Sequence, residues 1–356
     1  MSKIVITGAG SAQSNGVINS LLMADNGDEI IGLGSDKMDL MLSRAHKKIL
    51  MPHSREESYK EALLKVLNRV KPDMIHFQHD LELWIALKFR KEIESLGVRM
   101  LVPDYNTIDT CVHKYKSWIK FRDAGIKVAK NLEIEDKDDL HQAFDVLGSR
   151  EGWIWLRSSS IGGGGKGSYT TNNFDEAYEW IEKNDGWGDY IAAELLSKQT
   201  VTWLSIWKNG KLVVAQTRRR RGWAHSSLSP SGVTGVTKIG ETCSDTTVDE
   251  IAAKTVNAVS DIPNGIYGVD MTYDFDGIPN PTEINISRFF TTVQFFTEAG
   301  LNMPLILRDL VIDEKWPELD NYINPLPNGL LWLRAMDTDP LLTTDEEINK
   351  SLIGAL

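Results

Sequence analysis

The feature that most constrains the fold is the alternation of apolar, strand-like segments with helical segments over residues 3–103. The strand-like segments read KIVIT, EIIGLG, KKILM, MIHFQ and VRMLV. Strands that alternate with helices are joined by crossover connections, which build parallel sheets. The sequence therefore predicts a parallel, doubly wound α/β domain over residues 1–106.

Two helices of this domain have recognisable boundaries in the sequence. The first is predicted to begin after Ser54, which forms a capping box with Glu57 and precedes apolar residues at helical spacing. The second runs from about Leu83 to Ile93 and is predicted to end at Gly97.

The segment ITGAGSAQSNG after the first strand matches part of a dinucleotide-binding fingerprint. Gly8 and Gly10 occupy two of its glycine positions and Asp36 ends the second strand, but Gln13 stands at the third glycine position. Partial motifs of this kind have a high rate of false matches. We therefore favour a tight turn, or a turn near a different ligand, over a nicotinamide site.

The pattern changes from about residue 107. A helical segment, HKYKSWIKFRDAG, leads into a small α/β region and then into strand-like segments rich in Trp and Val. The tail from residue 321 is punctuated by proline and contains the strand-like GLLWLRAM. This pattern predicts a second, α+β region and a packed C-terminal appendage over residues 321–356.

Composition excludes several classes of partner. The net charge of -11 argues against nucleic acid or an anionic membrane, because broad basic surfaces hold polyanions. No window approaches the roughly 18 apolar residues of a membrane span, so we expect a cytoplasmic protein. Cys111 and Cys243 lack the paired spacing of zinc or redox sites, and we expect buried thiols.

An acidic cluster is predicted in the segment GIYGVDMTYDFDGIPNPTEINISR. If Asp276 and Gly277 are the two central residues of a hairpin turn, Asp270 lies directly opposite Glu283. Like charges placed so repel, so a positive group should lie between them. Asn285 projects from the same face. Two carboxylates and an amide oxygen suit Mg²⁺ or Mn²⁺.

A solvated acidic face on an edge hairpin, with the register shifted by Pro279 and Pro281, has comparable weight as an explanation. Arg288 favours the metal site, because a phosphoryl group beside a metal ion needs its charge neutralised. In the run QTRRRRGW, Arg218 and Arg220 share one face of a predicted strand. Such a run is usually a solvated face, but one pair is a candidate for a binding site.

The stretch RSSSIGGGGKGSYTT, residues 157–171, is compatible with a linker, a hairpin turn or a phosphate-binding loop. It lies between two strand-like segments, and a hairpin turn needs only two or three residues. The length favours a lid whose glycines let backbone N–H groups approach phosphate, with Lys166 near its tip. The glycines proposed for this contact are Gly163, Gly164 and Gly165.

Together these segments resemble the ATP-grasp superfamily, and within it the large subunit of carbamoyl-phosphate synthetase and its short, single-module relatives. The resemblance runs from the first strand to about residue 312. It implies a fold that is α/β plus α+β, with a Rossmann-like pre-ATP-grasp domain followed by a two-lobed ATP-grasp domain. The latter would span residues 107–320, with a small lid lobe at about 126–195.

The resemblance also implies residue roles. Lys114, eleven positions before Gly125, and the strand-end Arg157 are expected to contact the phosphates of ATP. The segment AAELLS is similar to the hinge that reads adenine, formed here by Glu194, Leu195 and Leu196. The metal ligands would be Asp270, Glu283 and Asn285, and the catalytic arginines Arg288, Arg218 and Arg220.

Three positions depart from the family pattern. The glutamate expected to bind ribose is absent, and Gln199 and Thr200 are nearby. The arginine after EIN comes one residue late, at Arg288, with Ser287 in its usual place. Ser158 replaces a common proline. The aim of Arg288 and the ribose contacts are therefore in doubt.

The function implied is an ATP-dependent ligase that joins a small-molecule carboxylate to an amine through an acyl phosphate, with ATP as co-substrate and Mg²⁺. The alternatives are a carboxylate kinase of the carbamoyl-phosphate synthetase kind and an ATP-binding regulator without turnover. His79 is expected to be a loop residue rather than a catalytic base. The sequence leaves the oligomeric state open and is compatible with a homodimer.

Overall fold

The computed structural model describes residues 1–148, 151–159, 168–224, 236–335 and 338–351. Over these residues the chain forms three β-sheets with helices packed around them. The class is α/β plus α+β, as predicted. Within the described ranges, no helix has the length and apolar character needed to cross a membrane.

The first sheet is four-stranded and parallel, with the order β3-β2-β1-β4, which confirms the prediction from the alternating pattern. Its strands are β1 (Lys3–Ile6), β2 (Glu29–Gly34), β3 (Lys47–Leu50) and β4 (Met74–His76). Its helices are α1 (Ala12–Met23), α2 (Lys37–Met41), α3 (Tyr59–Val70), α4 (Asp80–Ala86) and α5 (Arg90–Ser95), with a 3₁₀ turn at Leu87–Phe89.

Two helix predictions in this domain need correction. Helix α3 begins at Tyr59, so Ser54 does not cap it, and the backbone N–H of His53 donates to Glu56 in the preceding turn. The second predicted helix is divided into α4 and α5 by the 3₁₀ turn. It does end at Gly97, which has a left-handed φ of 79°.

Two helices lead from the first sheet to a small antiparallel sheet. They are α6 (Tyr105–Val112) and α7 (Lys114–Asp123). The small sheet has the order β5-β8-β6-β7. It contains β5 (Asn131–Ile134), β6 (Ile154–Ser158), β7 (Tyr169–Thr171) and β8 (Tyr190–Glu194), and it packs on α8 (Lys137–Leu147) and α9 (Phe174–Lys183).

The large sheet is antiparallel, with the order β13-β12-β9-β10-β11-β14-β15. Its strands are β9 (Thr200–Lys208), β10 (Lys211–Ala224), β11 (Val236–Cys243), β12 (Gly265–Tyr273), β13 (Pro279–Ile286), β14 (Leu330–Leu333) and β15 (Leu341–Thr344). The remaining helices are α10 (Thr246–Val259), α11 (Val293–Glu298), α12 (Met303–Ile312) and α13 (Asp345–Ser351). The predicted strand GLLWLRAM contains β14, which joins this sheet beside β11.

The first sheet and the large sheet share a core. Val5 of β1, Tyr267 of β12 and Ile286 of β13 belong to one buried apolar cluster. The small sheet has its own cluster, built from residues such as Leu140 and Leu156. The small sheet and its two helices therefore form a separate lobe beside the larger body.

Candidate active site

A cleft of about 770 Å³ is lined by residues from all three sheets and their loops. Gln13 and His79 come from the first sheet, Trp155 from the small sheet, and Thr200 and Asp270 from the large sheet. The loops that follow β1, β3 and β4 open into this cleft. This is the edge where open parallel sheets bind ligands.

The cleft is more positive than the rest of the molecule. Six of the Lys and Arg residues that the structure describes line it, against four Asp and Glu residues, while the whole chain carries a net charge of -11. The cations are Arg55, Lys114, Arg157, Arg218, Arg220 and Arg288, and the anions are Asp80, Glu194, Asp270 and Glu283. Such a local excess of positive charge attracts anionic ligands.

The predicted pairing of Asp270 with Glu283 is confirmed. The two-residue turn used to derive it is wrong, because the loop has three residues, 275–277, and Gly277 adopts a left-handed φ of 78°. An extra residue in β13, Thr282, forms a bulge that restores the register. The two one-residue offsets cancel, so the carboxylates still face each other.

The positive group beside Asp270 is an arginine. Nη2 of Arg220 donates to both carboxylate oxygens, at 3.1 and 3.2 Å. Nδ2 of Asn285 donates at 2.9 Å, and the hydroxyl of Thr202 also donates. Burial raises the pKa of Asp270, but Arg220 and Thr202 together hold it below its usual range. Asp270 is therefore ionised.

Glu283 lies close to the two cations expected to contact phosphate. Lys114 is the first residue of α7, and Arg157 lies near the end of β6. Burial lowers the pKa of Lys114 and of Arg157, and the charge of Glu283 opposes this effect in both. The structure thus brings together three side chains from three distant segments.

The predicted metal ligands offer oxygen atoms on two adjacent strands, a donor set that fits a hard cation. In the part of the chain that the structure describes, no group of three or more His, Cys, Asp or Glu side chains is placed to hold a metal ion. Asp270 accepts from Arg220, and Oδ1 of Asn285 accepts from Arg288. A cation at this point would have to replace or share these two contacts.

Arg288 reaches the cleft despite its shifted position in the sequence. The additional residue, Ser287, adopts a left-handed φ of 57° and turns the chain at the end of β13. Arg288 then donates to Asn285, and its Nε lies 3.3 Å from Oδ2 of Asp80. Burial raises the pKa of Asp80, but Arg288 and His79 hold it below the usual value.

Arg218 is a buried cation held by neutral groups. It is 1% exposed and donates to the hydroxyls of Thr292 at 2.7 Å and Thr202 at 2.9 Å. Its guanidinium lies 4.3 Å from the centre of the Phe290 ring. Among the described residues, no Asp or Glu forms a salt bridge with it. Burial and nearby Arg220 lower its pKa well below the usual value.

The other two arginines of the run lie on the opposite face of β10. Arg219 and Arg221 lie 3.5 and 3.4 Å from Glu241, and Arg221 also contacts Asp345 at 2.8 Å. The face assignment predicted from the alternation of the strand is therefore correct. Only Arg218 and Arg220 line the cleft.

The predicted hinge connects the small sheet to the large one. Glu194 ends β8 and Thr200 begins β9. Glu194 and Leu196 line the cleft, whereas Leu195 is not among the lining residues. The hydroxyl of Thr200, near the missing ribose-binding glutamate, is buried and has no hydrogen-bond partner in the described structure.

The predicted phosphate-binding loop joins β6 to β7, which pair in antiparallel fashion as expected for the strand SYTT. Gly163, Gly164, Gly165 and Lys166 lie outside the described residues, so their contact with phosphate stays a prediction. On the near side of the loop, Ser158 donates to Asp189 at 2.5 Å.

The glycine turn after β1 packs against its own domain. A side chain at Gly10 would place its Cβ 1.9 Å from the carbonyl oxygen of Asp39, so only glycine fits this approach. Asp36 caps helix α2 by accepting from Met38 and Asp39. These contacts agree with the predicted tight turn, and Gln13 after it lines the main cleft.

Several cleft residues were missed by the sequence analysis. Asp80, Asn131, Trp155 and Thr202 carry no motif, and their positions become clear only from strand pairing and the packing of the domains. Thr202 does not line the cleft but holds two residues that do. His79 precedes α4, is about half exposed and lines the cleft.

The combination of a parallel α/β domain, a small antiparallel lobe and a large antiparallel sheet around one cleft is the ATP-grasp fold. No protein-family model and no curated protein sequence matches the chain. Solved structures do match it over most of its length, at sequence identities that establish the fold alone.

Three of these structures illustrate the similarity. Carboxyaminoimidazole ribonucleotide synthase from Aspergillus clavatus, complexed with ATP, is 16% identical, with a TM-score of 0.68 over 93% of this chain and 81% of that one. L-amino acid ligase from Bacillus licheniformis is 12% identical, with a TM-score of 0.67 over 93% and 79%. Biotin carboxylase from Campylobacter jejuni is 15% identical, with a TM-score of 0.68 over 93% and 74%.

Proposed function

We propose that the protein is an ATP-dependent carboxylate–amine ligase. The observation that carries the proposal is the cleft itself, which has an excess of positive charge in an acidic chain and contains a buried arginine, Arg218, without a carboxylate partner. An unpaired buried cation is costly unless an anion neutralises it. The similar structures include enzymes that form C–N bonds or bind ATP, in agreement with this function.

The cleft has groups for each part of ATP. Lys114 and Arg157 would neutralise the phosphates, with the glycine loop over them. The hinge at Glu194 to Leu196 would hold the base. Asp270, Glu283 and Asn285 would hold Mg²⁺, which supplies charge neutralisation at the β and γ phosphates when bound.

The reaction then needs mainly positioning and charge stabilisation. An oxygen of the substrate carboxylate attacks the γ phosphorus, ADP leaves, and an acyl phosphate forms. The amine attacks the acyl carbon, loses a proton, and displaces phosphate. Arg218 and Arg288 would hold the carboxylate and the developing negative charge. Arg220, which is paired with Asp270, would instead support the metal-binding carboxylate.

The test is release of ADP in the presence of a panel of carboxylates and amines, with hydroxylamine added to trap the acyl phosphate. We expect carboxylate-dependent ADP release with formation of a hydroxamate. ADP release without any trapped hydroxamate would exclude the acyl-phosphate route. A product mass that corresponds to a phosphorylated carboxylate or carbamate, with no amide, would identify the kinase-like alternative.

A second candidate is an ATP-binding regulator without turnover. It is favoured by the two arginines that engage Asp270 and Asn285, because these contacts compete with a metal ion. Binding of ATP with Mg²⁺ but no ADP release with any substrate mixture would support it. The domain boundaries at residues 106 and 320 are proposed together with the ligase function, and limited proteolysis tests them.

A further inference from the structure

Three residues form a row across the face of the small sheet that lines the cleft. Asn131 of β5 and Trp155 of β6 are both register partners of Ala193 of β8. Residues paired in this way lie side by side on one face of a sheet. All three line the cleft, whereas the other face of the sheet packs on α8 and α9. The small side chain of Ala193 leaves a shallow gap between the amide and the indole.

The orientation of the Asn131 amide is determined by its neighbours. Nδ2 of Asn131 donates to the carbonyl oxygen of Ala129 at 2.8 Å, and that carbonyl also accepts from Nε1 of Trp118 at 2.7 Å. A carbonyl oxygen can only accept, so the amide nitrogen must face it. The oxygen Oδ1 is therefore the atom that points away from Ala129.

This oxygen is a buried acceptor without a donor. Asn131 is 5% exposed, and its Oδ1 has no hydrogen-bond partner in the described structure. Nε1 of Trp155, at the other end of the row, is also buried and unpaired there. Buried polar atoms are nearly always paired in folded proteins. Two unpaired atoms in one row of a ligand cleft therefore indicate a ligand with hydrogen-bonding groups.

The position of the row within the cleft selects the part of the ligand. Ala193 directly precedes Glu194, where the chain leaves the small sheet for the hinge. Arg157 lies two residues after Trp155 on β6, on the same face and closer to the glycine loop. The row is therefore at the end of the cleft away from the loop, where the base of a nucleotide would lie.

We propose that Asn131, Ala193 and Trp155 form a purine-base subsite in which Oδ1 of Asn131 accepts a hydrogen bond from the 6-amino group of adenine. Guanine has a carbonyl oxygen at this position, which would place two acceptors against each other. Asn131 is thus the residue that makes the site select ATP over GTP. This inference rests on the proposed function, because it requires that the cleft binds a nucleoside triphosphate.

The test measures dissociation constants by calorimetry for ATP, GTP and purine riboside triphosphate, which lacks the 6-amino group. For the unaltered protein we expect ATP to bind about tenfold more tightly than either analogue, the equivalent of one net hydrogen bond. In Asn131→Leu, a variant of similar size, we expect the three affinities to agree within about threefold.

Asn15→Leu is the matched control. Asn15 also donates through Nδ2 to a backbone carbonyl, that of Gly10 at 3.2 Å, and its Oδ1 is also buried and unpaired in the described structure. It is not among the residues lining the cleft. We expect Asn15→Leu to keep the full preference for ATP, which separates loss of base recognition from a general loss of stability.

The outcomes are distinct. Equal affinity of the unaltered protein for ATP and purine riboside triphosphate overturns the subsite without any variant having to fold. An unchanged preference in Asn131→Leu also overturns it, while the proposed function stands. No binding of any triphosphate overturns the proposed function, and the subsite with it.

Discussion

Arg218 on β10 contacts Asp270 on β12 through a single hydroxyl group, that of Thr202. The three residues lie in one row across the strands β10, β9 and β12. Nη2 of Arg218 donates to the Thr202 hydroxyl at 2.9 Å, and the hydroxyl donates to the carboxylate of Asp270. Thr202 therefore separates the two charges while it orients both side chains.

Replacing Thr202 with Val, which has the same shape without the hydroxyl, should destabilise the protein by roughly 2 kcal/mol, because both lost contacts involve charged groups. Urea unfolding measures this change. Thr255→Val is the control, since the buried Thr255 hydroxyl donates only to the neutral carbonyl of Ile251 and its loss should cost roughly 1 kcal/mol. Equal costs for both variants would show that Thr202 does not link the charges.

Arg218→Met should reduce carboxylate-dependent ADP release about a hundredfold or more, because it removes a cation placed for the developing negative charge. ATP affinity should change little, since Arg218 is held at the Phe290 side of the cleft rather than beside Lys114 and Arg157. Calorimetry with ATP and steady-state turnover separate the two effects. Arg219→Met is the control, because Arg219 faces Glu241 on the other side of the strand and its loss should leave turnover nearly unchanged.

Arg157→Ala should weaken ATP binding by about tenfold to a hundredfold, as expected for the loss of charge-assisted contacts to phosphate. A double replacement of Gly163 and Gly164 with Ala should instead slow turnover more than it weakens binding, because the loop would still carry its N–H groups but lose conformational freedom. Titration with ATP and single-turnover kinetics measure the two effects. Small and equal effects would return the loop to a plain turn.

Glu283→Gln should abolish the strengthening of ATP binding by Mg²⁺, because the variant removes a charged oxygen ligand. ATP affinity measured in EDTA should remain the same or rise, since Lys114 and Arg157 would lose a competing anion. Comparing dissociation constants with and without Mg²⁺ tests this. If Mg²⁺ strengthens ATP binding equally in the variant, the cation lies elsewhere.

Stability should fall as the pH is lowered from about 6.5 to about 4, in part because of His76. This side chain is buried beside Gln78, and burial lowers its pKa from 6.5 to about 4. A group with a lower pKa in the folded state is protonated first in the unfolded state, so acid favours unfolding through this window. Denaturant unfolding across the range should show a smaller loss for His76→Gln. The exposed His79→Gln should behave as the unaltered protein.

Part of the architecture follows from local rules. The strand–helix alternation predicted the parallel sheet correctly, since crossover connections leave few other arrangements. The helix predicted at Ser54 was misplaced, because Glu56 rather than Glu57 satisfies a backbone donor there. The pairing of Asp270 with Glu283 was right although the turn was not, because the bulge at Thr282 compensated for the longer loop.

The sequence by itself determined the sheet classes, the faces of the arginine run and the acidic pair, because side-chain alternation and crossover rules act over short distances. Only the tertiary structure decided that Asp270 pairs with Arg220, that Asp80 holds Arg288, and that Asn131 and Trp155 flank Ala193. The physical reason is that alternation assigns a residue to a face of its strand, whereas its neighbours depend on strand order and domain packing. Those are set by contacts between residues far apart in the chain.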